Sequence, residues 1–171
     1  MEDLIYCQKE IPKEQWRYGL RPSADTGCGW IAVHNVLRLL DRPSDPETLI
    51  RDFTRQLPLI HGNLGTTILA PALYLRKLGF ETDWTAREDR FDAFAKEYPV
   101  CILFYRWYGK LRIGAHFAAF RSTEDGFVGY NTFTGSKGPD HYGKSLQAFC
   151  KRQKFFGCVV IGIRPKGGET L

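Results

Sequence analysis

Helical signals crowd the first half of this chain and strand signals the second, a division that leaves few architectures open. The apolar run Trp30-Ile-Ala-Val-His-Asn-Val-Leu-Arg-Leu-Leu40 reads as one helix. Ser44-Asp-Pro-Glu47 is a capping-box pattern with Pro46 near the first helical position, leading into a second helix over 48–57. A third is expected over 68–78, stopped by Gly79, with Pro71 tolerable only in its first turn. Strands are expected at 81–85, 100–106, 114–121, 127–131 and 158–164, and short helices near 90–96 and 145–151. Helices first and a mainly antiparallel sheet afterwards predict an α+β fold in two lobes, a helical N-terminal lobe packed on a sheet lobe. With no internal repeat, low-complexity stretch or linker, residues 1–171 are expected to form a single domain.

Composition removes several function classes. A hydrophobic content of 43% excludes a disordered or fibrous chain. The net charge of +5 is spread along the sequence without a cluster or a recognisable nucleic-acid motif, so no nucleic-acid partner is expected. Acidic residues stand where a secretory signal would carry bases, and no run approaches the roughly 20 apolar residues of a membrane helix. A cytoplasmic protein without a membrane partner is the expectation. The five cysteines, Cys7, Cys28, Cys101, Cys150 and Cys158, show neither a Cys-x-x-Cys pair nor zinc-site spacing, and no metal or organic cofactor is implied. Cys101 and Cys158 read as buried strand residues acting as small hydrophobes.

Cys28 is different. It stands in Asp25-Thr-Gly-Cys-Gly29 at the opening of the first long helix, where free N–H groups and the helix dipole favour thiolate over thiol. Gly27 and Gly29 are expected to leave the backbone uncovered for a carbonyl substrate. A thiolate hydrolase also needs an imidazole, a group that orients it, and oxyanion donors. His34 lies six residues after Cys28, about 240° round an ideal helix, and points away. Asn35, seven residues on, returns to the cysteine face, where a buried amide could tie the helix to the sheet lobe or be a core amide satisfied locally. His61 lies in a glycine-rich loop, and His141 in Gly138-Pro-Asp-His-Tyr-Gly143 is the rival base, held less firmly than a strand residue. His116, in Gly114-Ala-His-Phe-Ala-Ala-Phe120, is a polar ring in a strand apolar enough to be buried on both faces. A hairpin turning at Thr123-Glu-Asp-Gly126 would bring it near Asn131, whose amide oxygen could accept from the imidazole. His116 as a core histidine, and Asn131 as a turn residue, remain the plain alternatives.

Order and wording together are similar to the bacteriocin-processing-peptidase-like branch of the papain-like cysteine peptidases. The matching segments are Asp25-Thr-Gly-Cys28-Gly29 with Asn35-Val-Leu, Gly65-Thr with a helix ending Tyr74-Leu-Arg-Lys-Leu-Gly79-Phe, Gly114-Ala-His116-Phe, and Tyr130-Asn131 followed by Ser145-Leu-Gln-Ala-Phe149. The resemblance implies a papain-like two-lobe fold and a peptide or protein substrate. Cys28 would be the nucleophile, His116 the base and then the acid, and Asn131 the orienting residue. It also implies an oxyanion glutamine a few residues before the cysteine, where this chain has Arg21-Pro-Ser-Ala-Asp-Thr-Gly. Gln15 could serve if the intervening segment loops out, with Ser23 or Asn63 as stand-ins. Arg106, Trp107 and Tyr108 are candidates for a substrate-touching cleft rim, and Trp30 for the cleft or, more simply, the core. The functional expectation is a cysteine peptidase or related thiol hydrolase. A catalytically inactive peptide-binding module, and a thiol acyltransferase or isopeptidase, are the alternatives.

Overall fold

The computed structural model describes residues 3–56, 66–110 and 113–167; Leu57, His61, Asn63 and Gly65 lie outside the described residues. A 3₁₀ turn at Gln8–Glu10 precedes a small hairpin, β1 (Arg17–Tyr18) and β2 (Arg21–Pro22), and the short helix α1 (Ser23–Thr26). Helices α2 (Cys28–Leu39), α3 (Pro46–Gln56) and α4 (Ala70–Lys77) follow, then β3 (Phe80–Thr85) and α5 (Phe91–Lys96). The chain ends with β4 (Val100–Tyr108), β5 (Ile113–Thr123), β6 (Gly126–Tyr130), β7 (Asp140–Gly143), α6 (Leu146–Arg152) and β8 (Phe156–Pro165).

Local chemistry accounts for the helix boundaries. Pro46 opens α3, but the cap is Asp45, whose carboxylate accepts from Thr48 N–H at 2.9 Å; the expected cap, Ser44, is bonded to His34 instead. Pro71 sits in the first turn of α4, where its missing N–H costs nothing, and Gly79 ends that helix at φ 91°. Helix α2 is mostly apolar and is buried nearly throughout, its buried His34 and Asn35 being hydrogen-bonded. It stops where Asp41 turns left-handed at φ 51° and Arg42 N–H reaches back to Leu37.

Six strands form one antiparallel sheet in the order β3-β8-β4-β5-β6-β7. Helices cover both of its faces, so the central strands read as continuous apolar runs. Along β4, Val100, Ile102 and Phe104 join the core with α2, α3 and α4, while Cys101, Leu103 and Tyr105 join a second core with α5 and α6. Beyond the expected strands, β7 pairs with β6 and carries His141, which is exposed on a strand rather than held in a loop.

Candidate active site

Cys28 is the first residue of α2, with Gly27 as its cap. The glycines flanking it serve packing rather than substrate access. A Cβ on Gly29 would fall 2.4 Å from Thr66 Oγ1, and one on Gly27 2.6 Å from both the Ser23 carbonyl oxygen and Trp30 Nε1. Ser23 is occupied too, its hydroxyl accepting from Trp30 Nε1 at 3.2 Å. Trp30 itself is fully buried, edge-on to Trp16, so it belongs to the core and lines no cleft.

The sulfur meets the sheet at an interrupted ladder. Pairing of β5 with β6 stops where Ala119 faces Tyr130, so Phe117 has no β6 partner, and its N–H is directed at Cys28 Sγ. The residue before it is His116. Cysteine and histidine segments therefore touch, one at a helix start and the other at an uncovered strand edge.

The electrostatics differ from the sequence expectation of a thiolate. Burial pushes the Cys28 thiol up to about 11, and the N–H groups of Phe117, Gly29 and Cys28 itself offset only part of that. A helix dipole contributes about 0.3–1 kcal/mol, less than the roughly 3 kcal/mol implied by a rise of this size. Burial likewise lowers His116 to about 4, against the opposing effect of its bond to Asn131. Burial thus favours the neutral form of both the thiol and the imidazole.

That bond fixes the tautomer. His116 Nε2 lies 2.6 Å from the main-chain carbonyl oxygen of Asn131. A carbonyl only accepts, so Nε2 carries the proton and Nδ1 keeps its lone pair. Asn131 is therefore brought to the imidazole, but not through its side chain as expected. Its left-handed backbone, φ 59°, aims the carbonyl at the ring, and its Oδ1 accepts from Gln8 N–H at 2.8 Å. Tyr105, opposite His116 on β4, sets its ring edge-on to the imidazole at 5.7 Å and donates its hydroxyl to the Thr132 carbonyl.

Gln15 is not brought to the site. The segment after it does loop out, as the β1–β2 hairpin closed by Ser23 N–H on the Trp16 carbonyl at 2.8 Å. Yet Gln15 is exposed and lines a shallow hollow with Leu4, Pro12 and Lys137. The glutamine that reaches the cysteine neighbourhood is Gln8. Its main chain bonds Asn131, and its Nε2 donates to the Ala24 carbonyl at 3.2 Å, four residues before Cys28. Among the described residues, Gln8 Oε1, Asn131 Nδ2 and, two residues before Cys28, Thr26 Oγ1 are buried polar atoms without hydrogen-bond partners. Spacing from the cysteine gives no signal for Gln8, because the hairpin lengthens the connection without lengthening the distance.

Arg106, Trp107 and Tyr108 continue β4 away from His116, opposite Ala115, Gly114 and Ile113. Strand alternation puts Trp107 on the face of Tyr105, and Arg106 with Tyr108 on the other, where Tyr108 stacks on Phe156 at 4.4 Å. Tyr108 is 76% exposed. Among the described residues no group of three or more His, Cys, Asp or Glu side chains is placed to hold a metal ion, and no helix is long and apolar enough to cross a membrane.

No protein-family model matches the chain, and no curated protein matches it. A solved structure does. The chain is similar to the peptidase domain of Streptococcus ComA, described as a bi-functional ABC transporter involved in a quorum-sensing pathway. The TM-score is 0.53 at 18% identity, over 81% of this chain and 91% of that domain. The fold is thus an α+β fold like that of this peptidase domain, in agreement with the sequence resemblance.

Proposed function

We propose that this chain is a cysteine peptidase or related thiol hydrolase of papain-like, two-lobe type that cleaves a peptide or amide bond through an acyl-enzyme on Cys28. The observation that carries the reading is that the helix-start thiol meets the main chain of Phe117, the residue next to His116, whose Nε2–H is held by the Asn131 carbonyl. In this reading His116 Nδ1 takes the thiol proton as Sγ attacks the substrate carbonyl, so that the ion pair forms with the reaction and not before it. The carbonyl electrons move to oxygen, where the Cys28 N–H and the second N–H of the Gln8 amide are the donors. As the oxyanion collapses the C–N bond breaks and His116 returns the proton to the leaving amine; water then releases the acyl group by the same route. Arg106, Trp107 and Tyr108 stay the candidates for substrate contact.

Burial that keeps both groups neutral favours, as a second reading, a binding module of the same fold. An acyltransferase or isopeptidase would share the thiol chemistry and differ in the acceptor. The deciding experiment incubates the protein with a mixed peptide library and reads the products by mass spectrometry, beside Cys28→Ala and His116→Ala. New termini that need both residues are expected. Binding without any cleavage in the wild type overturns the hydrolase in favour of the module, and products joined to a second amine indicate the transferase.

A further inference from the structure

Residues 3–8 run along α2 outside any strand ladder, and side chains serve their main-chain groups. Asp3 carbonyl oxygen is 2.7 Å from His34 Nε2, whose Nδ1 lies 2.9 Å from Ser44 Oγ. Ile5 is held on both sides by one residue: its N–H donates to Asn35 Oδ1 at 2.9 Å, and its carbonyl accepts from Asn35 Nδ2 at 2.9 Å. Asn35 is fully buried, and only a carboxamide offers a donor and an acceptor in this arrangement. Cys7 Sγ accepts from Gly135 N–H at 3.3 Å, and then Gln8 meets Asn131 and Ala24.

Cys28 and Asn35 lie on one face of α2, seven residues and about 10 Å apart along the axis. Ile5 and Gln8 are three residues apart, and the chain between them bends at Tyr6, so it spans less than the roughly 10 Å of an extended segment. The Asn35 clamp on Ile5 therefore limits how far Gln8 can reach toward Ala24 and the start of α2. A slip of one residue would move Gln8 by up to about 3.4 Å, more than the tolerance of an oxyanion donor.

We propose that Asn35 is a positioning residue: by clamping Ile5 it sets the register of the N-terminal segment and so places the Gln8 amide beside Cys28. The inference rests on the peptidase reading, in which Gln8 supplies an oxyanion donor.

The test separates the thiol from the oxyanion site. Iodoacetamide alkylation of Cys28 needs the thiol and its base but no oxyanion donor. Reversible capture of acetyl-glycinal, an aldehyde with no side chain to be refused, needs all three. Sγ bonds to the aldehyde carbon, the carbonyl electron pair moves to oxygen, and the thiol proton passes to His116. Its dissociation constant is read from protection of Cys28 against iodoacetamide.

Gln8→Ala, Asn35→Ala and Ile5→Pro are each expected to weaken the aldehyde by about tenfold or more, with alkylation rates within about twofold of wild type. Ile5→Pro removes the N–H without touching α2, and it decides the matter if Asn35→Ala does not fold. Wild-type affinity in Asn35→Ala or Ile5→Pro, beside a loss in Gln8→Ala, overturns the inference and leaves the peptidase reading standing. A wild-type Cys28 that takes neither reagent overturns both.

Discussion

At Gly29 the absence of a side chain is filled by a neighbour. Thr66 occupies the place a Cβ would take, and its hydroxyl is tied to Tyr18 OH at 3.2 Å, so it is not free to swing aside. Gly29→Ala is therefore expected to destabilise the protein by about 1–3 kcal/mol through overpacking, read as a lower urea midpoint. An unchanged midpoint would mean that Thr66 gives way at no cost. The same crowding explains why the sequence misleads here: a glycine beside a cysteine suggests access, and only the packed structure distinguishes access from contact. Asn131 is a parallel case. Its nearness to His116 follows from hairpin geometry legible in the sequence, but which of its oxygens faces the ring depends on a left-handed φ that asparagine merely permits.

Elements were legible where their pattern is local. Helix α2 and the strands β4 and β5 announce themselves by composition, and Ser145 caps α6 in person, its Oγ accepting from Ala148 N–H at 3.1 Å. Partnership between elements was not legible. The last strand, β8, inserts between β3 and β4, a pairing made across most of the chain, and β7 reads as a loop until β6 is beside it. Asp92 shows the same limit at a helix end. From α5 it accepts the N–H groups of Leu146 at 2.6 Å and Gln147 at 3.2 Å, and the Ser145 hydroxyl at 2.7 Å, supplementing the local cap of α6 from a distant helix. Asp92→Ala is expected to cost about 1–2 kcal/mol, and Asp92→Asn, which keeps the acceptors' shape and loses the charge at the helix start, less. Urea unfolding of the two variants ranks them; equal losses would mean that the charge, and not the capping oxygens, supplies the stabilisation.

For the molecule as a whole, the burial of titratable groups ties stability to pH. His116 is lowered by burial to about 4, and His34 is lowered in the same direction by its own burial. An unfolded histidine takes a proton near pH 6.5, so between there and the folded value the unfolded chain binds more protons than the native one. Stability is then full above about pH 6.5 and falls as the pH drops toward 4. At pH 5 the His116 contribution alone corresponds to a loss of about 2 kcal/mol. On the alkaline side burial raises Cys28 to about 11, and Tyr18 and Tyr105 are raised too, mainly by burial. The unfolded thiol gives up its proton first, and stability falls again as the pH rises past about 9. The expected profile is a plateau between these limits, measured by urea midpoints at pH 5, 7.5 and 10. His116→Gln retains a side chain able to donate to the Asn131 carbonyl and does not titrate, so it should recover part of the acid loss, with His34 accounting for a remainder. A midpoint equal at pH 5 and 7.5 in the wild type, or falling as steeply in His116→Gln, would show that the imidazole is already open to protons in the folded protein and is not the neutral base that the proposed chemistry requires.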